Sequence, residues 1–190
     1  MQVELKVNDK SVQAEISEEQ LKETILFEQL KKLGLIEDKP RTGYERVEKG
    51  EMYYLVDIYN NIMRVTEDND QGDKQCYSTG NYYSDKIISE NNARADRLLR
   101  QLRQWQALND EPIFKEFWKS EEEVKYYIAY SFEEDLNGRE KGFVVRKCWQ
   151  ECVPNVIYFT SKRKAEEAIK AFKDELKWYY TEYQQRLDEE

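Results

Sequence analysis

Three groups of residues in this chain have types and spacings that could do chemistry. The first is the run Glu67-Asp68-Asn69-Asp70-Gln71-Gly72-Asp73. Carboxylates at this density suggest a calcium loop or, joined by Asp57, the metal cluster of a hydrolase. The calcium spacing fails, because an EF-hand loop opening at Asp68 requires Gly at 73 and Glu at 79. The chain has Asp73 and Thr79, and a solvated turn is the better reading. The second group is Cys148 and Cys152, set on either side of Trp149. Their spacing is not the Cys-x-x-Cys of redox and zinc sites, and two thiolates do not complete a tetrahedral zinc site. The third is Arg94, Arg97, Arg100 and Arg103, a basic stripe that suits phosphate or an acidic protein patch.

The chain has no histidine, which removes the commonest general base near neutral pH and the commonest metal ligand. Its seven glycines are scattered and form no phosphate-binding loop. The residues therefore predict no catalytic group, no metal and no cofactor. They direct attention to binding.

Charge is unevenly distributed. The net charge is −9, yet residues 86–120 hold 7 Lys and Arg against 5 Asp and Glu. The arginine stripe is thus the one basic region of an acidic protein. Fourteen tyrosines offer rings for a core and hydroxyls for water or a partner. The N-terminus MQVELKVNDK is polar, three cysteines make no secreted disulfide framework, and no apolar run reaches the roughly 20 residues of a membrane span. A cytoplasmic protein without membrane association is expected.

The organising element is a long amphipathic helix over 85–109. Ile88, Ala95, Leu98, Leu99, Leu102 and Trp105 recur on one side, and Arg97 and Arg100 point the opposite way. Before it, residues 1–36 read as a hairpin followed by a helix, a small ββα unit with Ser17 as N-cap and Gly34 as stop. Residues 37–51 hold a proline, two glycines and many charges, and read as a linker. The main domain, 52–190, opens with a hairpin over 52–65 and a short strand over 76–83. After the helix, a connector over 110–120 carries Phe114, Phe117 and Trp118, apolar anchors expected to tuck against it. Strands follow over 125–132, 142–150 and 156–159, and Thr160-Ser161 caps one last long helix. Tyr53-Tyr54 and Tyr82-Tyr83 are echoed by Tyr126-Tyr127 and Tyr158-Phe159 at similar spacing. A βββα unit used twice, over 52–109 and 125–187, is the simplest account. The fold class is α+β, with small antiparallel sheets each covered by a helix.

The segments TGYERVEKGEMYY (42–54), YSTGNYYSDK (77–86), RQLRQWQALN (100–109), KYYIAY (125–130), VIYFTSKRKAEEAI (156–169) and FKDELKWYY (172–180) resemble a diffuse family of small phage and prophage accessory proteins of Gram-positive bacteria. The likeness spans about residues 42–180 and rests on aromatic strand ends followed by helix caps, with no catalytic residues. The resemblance implies a pool that includes inhibitors of host defence, anti-CRISPR proteins among them, and hence a host protein as partner. One departure is that Ser84-Asp85 is followed by Ile87-Ile88 rather than a run of Glu and Ala.

Two binding readings compete. In one, an acidic patch of Glu45, Glu48, Glu51, Glu67, Asp68, Asp70 and Asp73, with Tyr53, Tyr59 and Tyr82 as aromatic anchors, docks on a basic protein surface such as a nuclease channel. In the other, the basic face of Arg94, Arg97, Arg100 and Arg103 binds RNA or DNA phosphate. Long-range repulsion from the net negative charge opposes the second. A structural phage protein with no defence role stands beside both.

Overall fold

The computed structural model describes residues 2–7, 10–15, 42–134, 138 and 140–183. The chain divides into two compact units, Met1–Arg41 and Thr42–Glu190. Of the first unit the description covers a hairpin, β1 (Gln2–Val7) and β2 (Lys10–Glu15), paired antiparallel with Val3 opposite Ala14 and Leu5 opposite Val12. The helix expected after Ser17, the stop at Gly34 and the first five linker positions lie outside the described residues, as does Leu187.

The second unit is α+β. β3 (Met52–Val56) and β4 (Ile62–Thr66) form a hairpin around Asp57–Asn61. A short helix, α1 (Gln71–Ser78), takes the end of the expected acidic turn and the first three positions of the strand expected over 76–83. The cause is local capping. The Asp70 carboxylate accepts from the Asp73 amide, and Asp73 accepts from the Asp70 amide in return. This reciprocal box satisfies two donors that a helix start leaves unpaired, and it turns the acidic run into a helix start. Of the predicted strand only Tyr83 joins the sheet, bridging antiparallel to Tyr54.

The organising helix forms as α2 (Lys86–Asn109), capped by the Asp85 carboxylate on the Ile88 amide at 2.9 Å. The departure noted after Ser84-Asp85 therefore does no harm to its first turn. Ile88, Ala95, Leu98 and Leu102 are buried as expected, and Leu99 and Trp105 are half-buried. α3 (Lys115–Lys119) then brings Trp118 edge-on to Tyr158. The connector's tryptophan thus packs on residues of the second sheet, Tyr158 and Lys125.

That sheet has the order β6-β5-β7, from β5 (Lys125–Glu134), β6 (Glu140–Cys148) and β7 (Tyr158–Phe159). The last predicted helix is two helices, α4 (Lys162–Ala171) and α5 (Lys173–Thr181). Phe172 leaves helical geometry between them at φ −122°, ψ 24°. Leu98, Leu102, Phe159, Ala165, Ala168 and Leu176 form the core where α2 meets the second sheet and its helices. Ala165 and Ala168 are fully buried, and having only a methyl each they let α4 lie close on the strands.

The two halves share part of a topology, although the first adds α1 and has only an isolated bridge where the second has β7. In both halves a hairpin's first strand takes a third segment antiparallel on its free edge, at Tyr54–Tyr83 and at Tyr126–Phe159. In both a cap follows two residues later, Asp85 and Ser161, and each accepts from the amide three residues on. Among the described residues no helix is long and apolar enough to cross a membrane.

Residues 42–51, assigned above to a linker, pack on this body as a strap. The Gly43 carbonyl accepts from the Ser84 amide at 2.9 Å. Gly43 has φ +82°, and a Cβ there would lie 2.7 Å from Ile88 Cγ1. Gly80 has φ +74° with open space around it. Gly43→Ala therefore combines backbone strain with overpacking and should cost about 2–3 kcal/mol, against about 1 kcal/mol for Gly80→Ala. Urea unfolding of the two variants measures the difference.

Candidate functional site

The seven predicted patch carboxylates separate into two kinds. Glu67 and Asp73 are buried, at 1% and 4% exposure. Glu67 receives Arg46 at 2.8 and 3.1 Å, the Tyr82 hydroxyl at 2.8 Å and the Asn69 amide at 2.8 Å. Asp73 receives the Tyr53 hydroxyl at 2.9 Å and the Asp68 amide at 2.9 Å. Tyr53 and Tyr82 stack face to face between these acids, with ring centroids 4.0 Å apart and planes 11° apart. Both rings are 1% exposed. Glu67, Asp73, Tyr53 and Tyr82 thus belong to an internal network, and none of the four can serve as a docking group. The reason is local. β3 places Tyr53 on its inner face, and each tyrosine hydroxyl requires an acceptor once buried.

The electrostatics follow from those bonds. Arg46 holds the Glu67 carboxyl below the ordinary glutamate value, working with Tyr82 against burial. Burial opposes ionisation of Asp73, but the Asp68 amide, Tyr53 and the Asp70 amide outweigh it and hold that carboxyl low as well. Burial likewise pushes the Tyr82 hydroxyl up to about 12, with Glu67 adding to it. Glu45 is exposed but engaged, accepting from the Thr42 amide and hydroxyl, the Gly43 amide and the Ser84 hydroxyl. Desolvation works against its charge, and the Thr42 hydrogen bonds overcome this to bring it to about 2.

Glu48, Glu51, Asp68 and Asp70 remain exposed. Backbone pairing gathers them at one end of the β3–β4 hairpin, since Glu67 N donates to Glu51 O and Gly50 N donates to Glu67 O. Lys49 and Lys74 are exposed beside them.

Tyr59 lies at the opposite end, on the hairpin turn. Ile58 and Tyr59 are 91% and 78% exposed. Their backbone is nevertheless fixed. Asp57 accepts from the amides of Tyr59 and Asn61 and from the Asn61 side chain, at 2.7 to 3.0 Å. Asn60 takes φ +69° and accepts from Arg100 of α2. Ile58 was not among the predicted anchors. The signal available was its place in an Asp-x-x-Asn turn, where a solvated loop would carry polar residues.

The arginine row is not one surface. Arg94 grips Glu175 of α5 through two hydrogen bonds, at 2.8 and 3.1 Å, and lies 3.9 Å above the Trp178 ring. It ties the two halves together and is not free for a ligand. Arg100 is held by the turn. Arg97 and Arg103 are exposed.

Cys148 is buried and donates to the Glu151 carbonyl, while Cys152 is exposed. Among the described residues no three of His, Cys, Asp and Glu are placed to hold a metal ion. A cavity of about 240 Å³ opens between α2, β5, α5 and the loop before β7.

No protein-family model, curated protein or solved structure matches this chain.

Carboxylates held below their ordinary values contribute stability above those values and lose it as they protonate. Stability should thus be flat from pH 7 to 5, then fall below the ordinary glutamate value of 4.5 and toward Glu45's value of about 2. Glu67→Gln should lower stability by about 2 kcal/mol at pH 7 and make the acid limb shallower. Urea titrations between pH 3 and 7 read both effects, and an unchanged acid limb would show that Glu67 does not carry the dependence.

Proposed function

We propose that this chain is a non-enzymatic accessory protein of phage type that acts by binding another protein, with the Asp57–Asn61 turn as its anchor. One observation carries the reading. Two large apolar side chains, Ile58 and Tyr59, stand almost fully in solvent on a turn locked by Asp57 and Arg100. A loop that merely connects strands gains nothing from rigid, exposed apolar groups, whereas a docking anchor gains from having its ordering entropy spent before binding. Tyrosine is also among the residue types enriched at interface hot spots.

The partner class we propose is a host protein that handles nucleic acid, such as a defence nuclease. Glu48, Glu51, Asp68 and Asp70, at the far end of the same hairpin, support this as a second contact for a Lys- and Arg-lined channel. Direct nucleic-acid binding is the weaker reading, because Arg94 and Arg100 are already committed to Glu175 and Asn60.

A photo-cross-linking amino acid at position 59 tests the proposal, with one at exposed Glu166 of α4 as control. In nuclease-treated host lysate, position 59 should form one discrete protein adduct that Ile58→Asp abolishes, and position 166 should form none. No adduct at 59, or equal adducts at both positions, would refute the assignment.

A further inference from the structure

The cavity of about 240 Å³ is distinct from the hairpin turn, and its lining is informative. Leu98, Leu102, Ile128 and Phe159 form part of its wall, with Val156 at the loop and Leu99 on α2. No lining residue is charged. The polar side chains among them are Asn155, Tyr179 and Tyr180, and the Tyr180 hydroxyl is already spent on the Ile128 carbonyl at 2.9 Å. Asn155, in the loop before β7, takes the left-handed conformation at φ +62° and is exposed to solvent. The space therefore has largely apolar walls, a tyrosine ring fixed through its hydroxyl, and two polar side chains, Asn155 and Tyr179, in its lining.

We propose that this cavity is a binding site for an uncharged aromatic molecule of about two rings bearing a single hydrogen-bonding group. Size sets the ring count. An apolar cavity of about 150 Å³ accommodates benzene, so the larger space here takes a second ring. The absence of lining charge sets neutrality, because a buried ion without a partner is strongly disfavoured. Asn155 and Tyr179 set the hydrogen-bonding group. The site lies between α2 of the first half and β5 and α5 of the second, so its occupant would bridge the two halves and stiffen their contact.

The probe is 2-naphthol, which is neutral at pH 7 and fluoresces apart from tryptophan, titrated into the full chain beside 2-naphthoate, which has the same rings and a charge. The expected result is saturable one-to-one binding of 2-naphthol, with a dissociation constant of about 100 μM or tighter and a rise in Tm. Binding of 2-naphthoate should be at least tenfold weaker. Val156→Trp and Leu99→Trp, which fill the space from its two half-buried sides, should each weaken 2-naphthol at least tenfold while retaining the wild-type circular dichroism spectrum. Unsaturable binding, equal affinity for the two probes, or unchanged affinity in a folded filling variant would overturn the proposal. Should neither variant fold, the comparison of the two probes on the wild-type protein decides.

Discussion

The Glu67 carboxylate is the constraint on which the first half of the main unit depends. A buried ion without partners would cost several kcal/mol, so its surroundings have to supply donors. They come from three places at once, Arg46 of the strap, Tyr82 before the long helix and Asn69 of the following loop. The Glu67 backbone meanwhile pairs with Gly50 and Glu51. One residue therefore fixes strap, hairpin end and loop relative to each other. Among the described residues no buried side-chain polar atom is left without a hydrogen bond, as a polar core requires if it is to specify a single arrangement.

The two halves carry out one plan with different chemistry. The first buries stacked tyrosines and feeds their hydroxyls to Glu67 and Asp73. The second buries Phe159 under Ala165 and Ala168 and needs no such acids. Arg94 joins them, its guanidinium against Glu175 and over Trp178. Because Arg94 and Glu175 are both more than a third exposed, this pair contributes alignment more than stability.

Much of this was legible in the sequence, and the failures have identifiable causes. Alternation and period gave the hairpins, the long helix with its buried stripe, and the repeated aromatic-then-cap pattern. The strand expected over 76–83 fails at its start because a strand leading into a helix fits the apolar letters, while the reciprocal Asp70–Asp73 cap that decides the matter is a feature of geometry. The last helix reads as continuous in the sequence because nothing in its composition marks Phe172 as a break. The acidic patch departs from expectation for a deeper reason. Composition counts carboxylates but does not say which are turned inward, and only the fold shows that Glu67 and Asp73 answer buried tyrosines whereas Glu48, Glu51, Asp68 and Asp70 face water. The strap looked like a linker because its value lies in partners far along the chain, Glu67, Tyr82 and Ser84, that no local window contains.

The order of the strap, the end of the β3–β4 hairpin away from its turn and the loop after it traces to one buried carboxylate. The most direct measurement is native-state amide hydrogen exchange on the wild type and Glu67→Gln, both folded. The account predicts that protection falls together at Val47, Gly50, Glu67 and Asn69, the amides tied to this network, while β5 and α4 exchange as before. Unchanged protection at those four amides, or an equal loss throughout the second half, would contradict it.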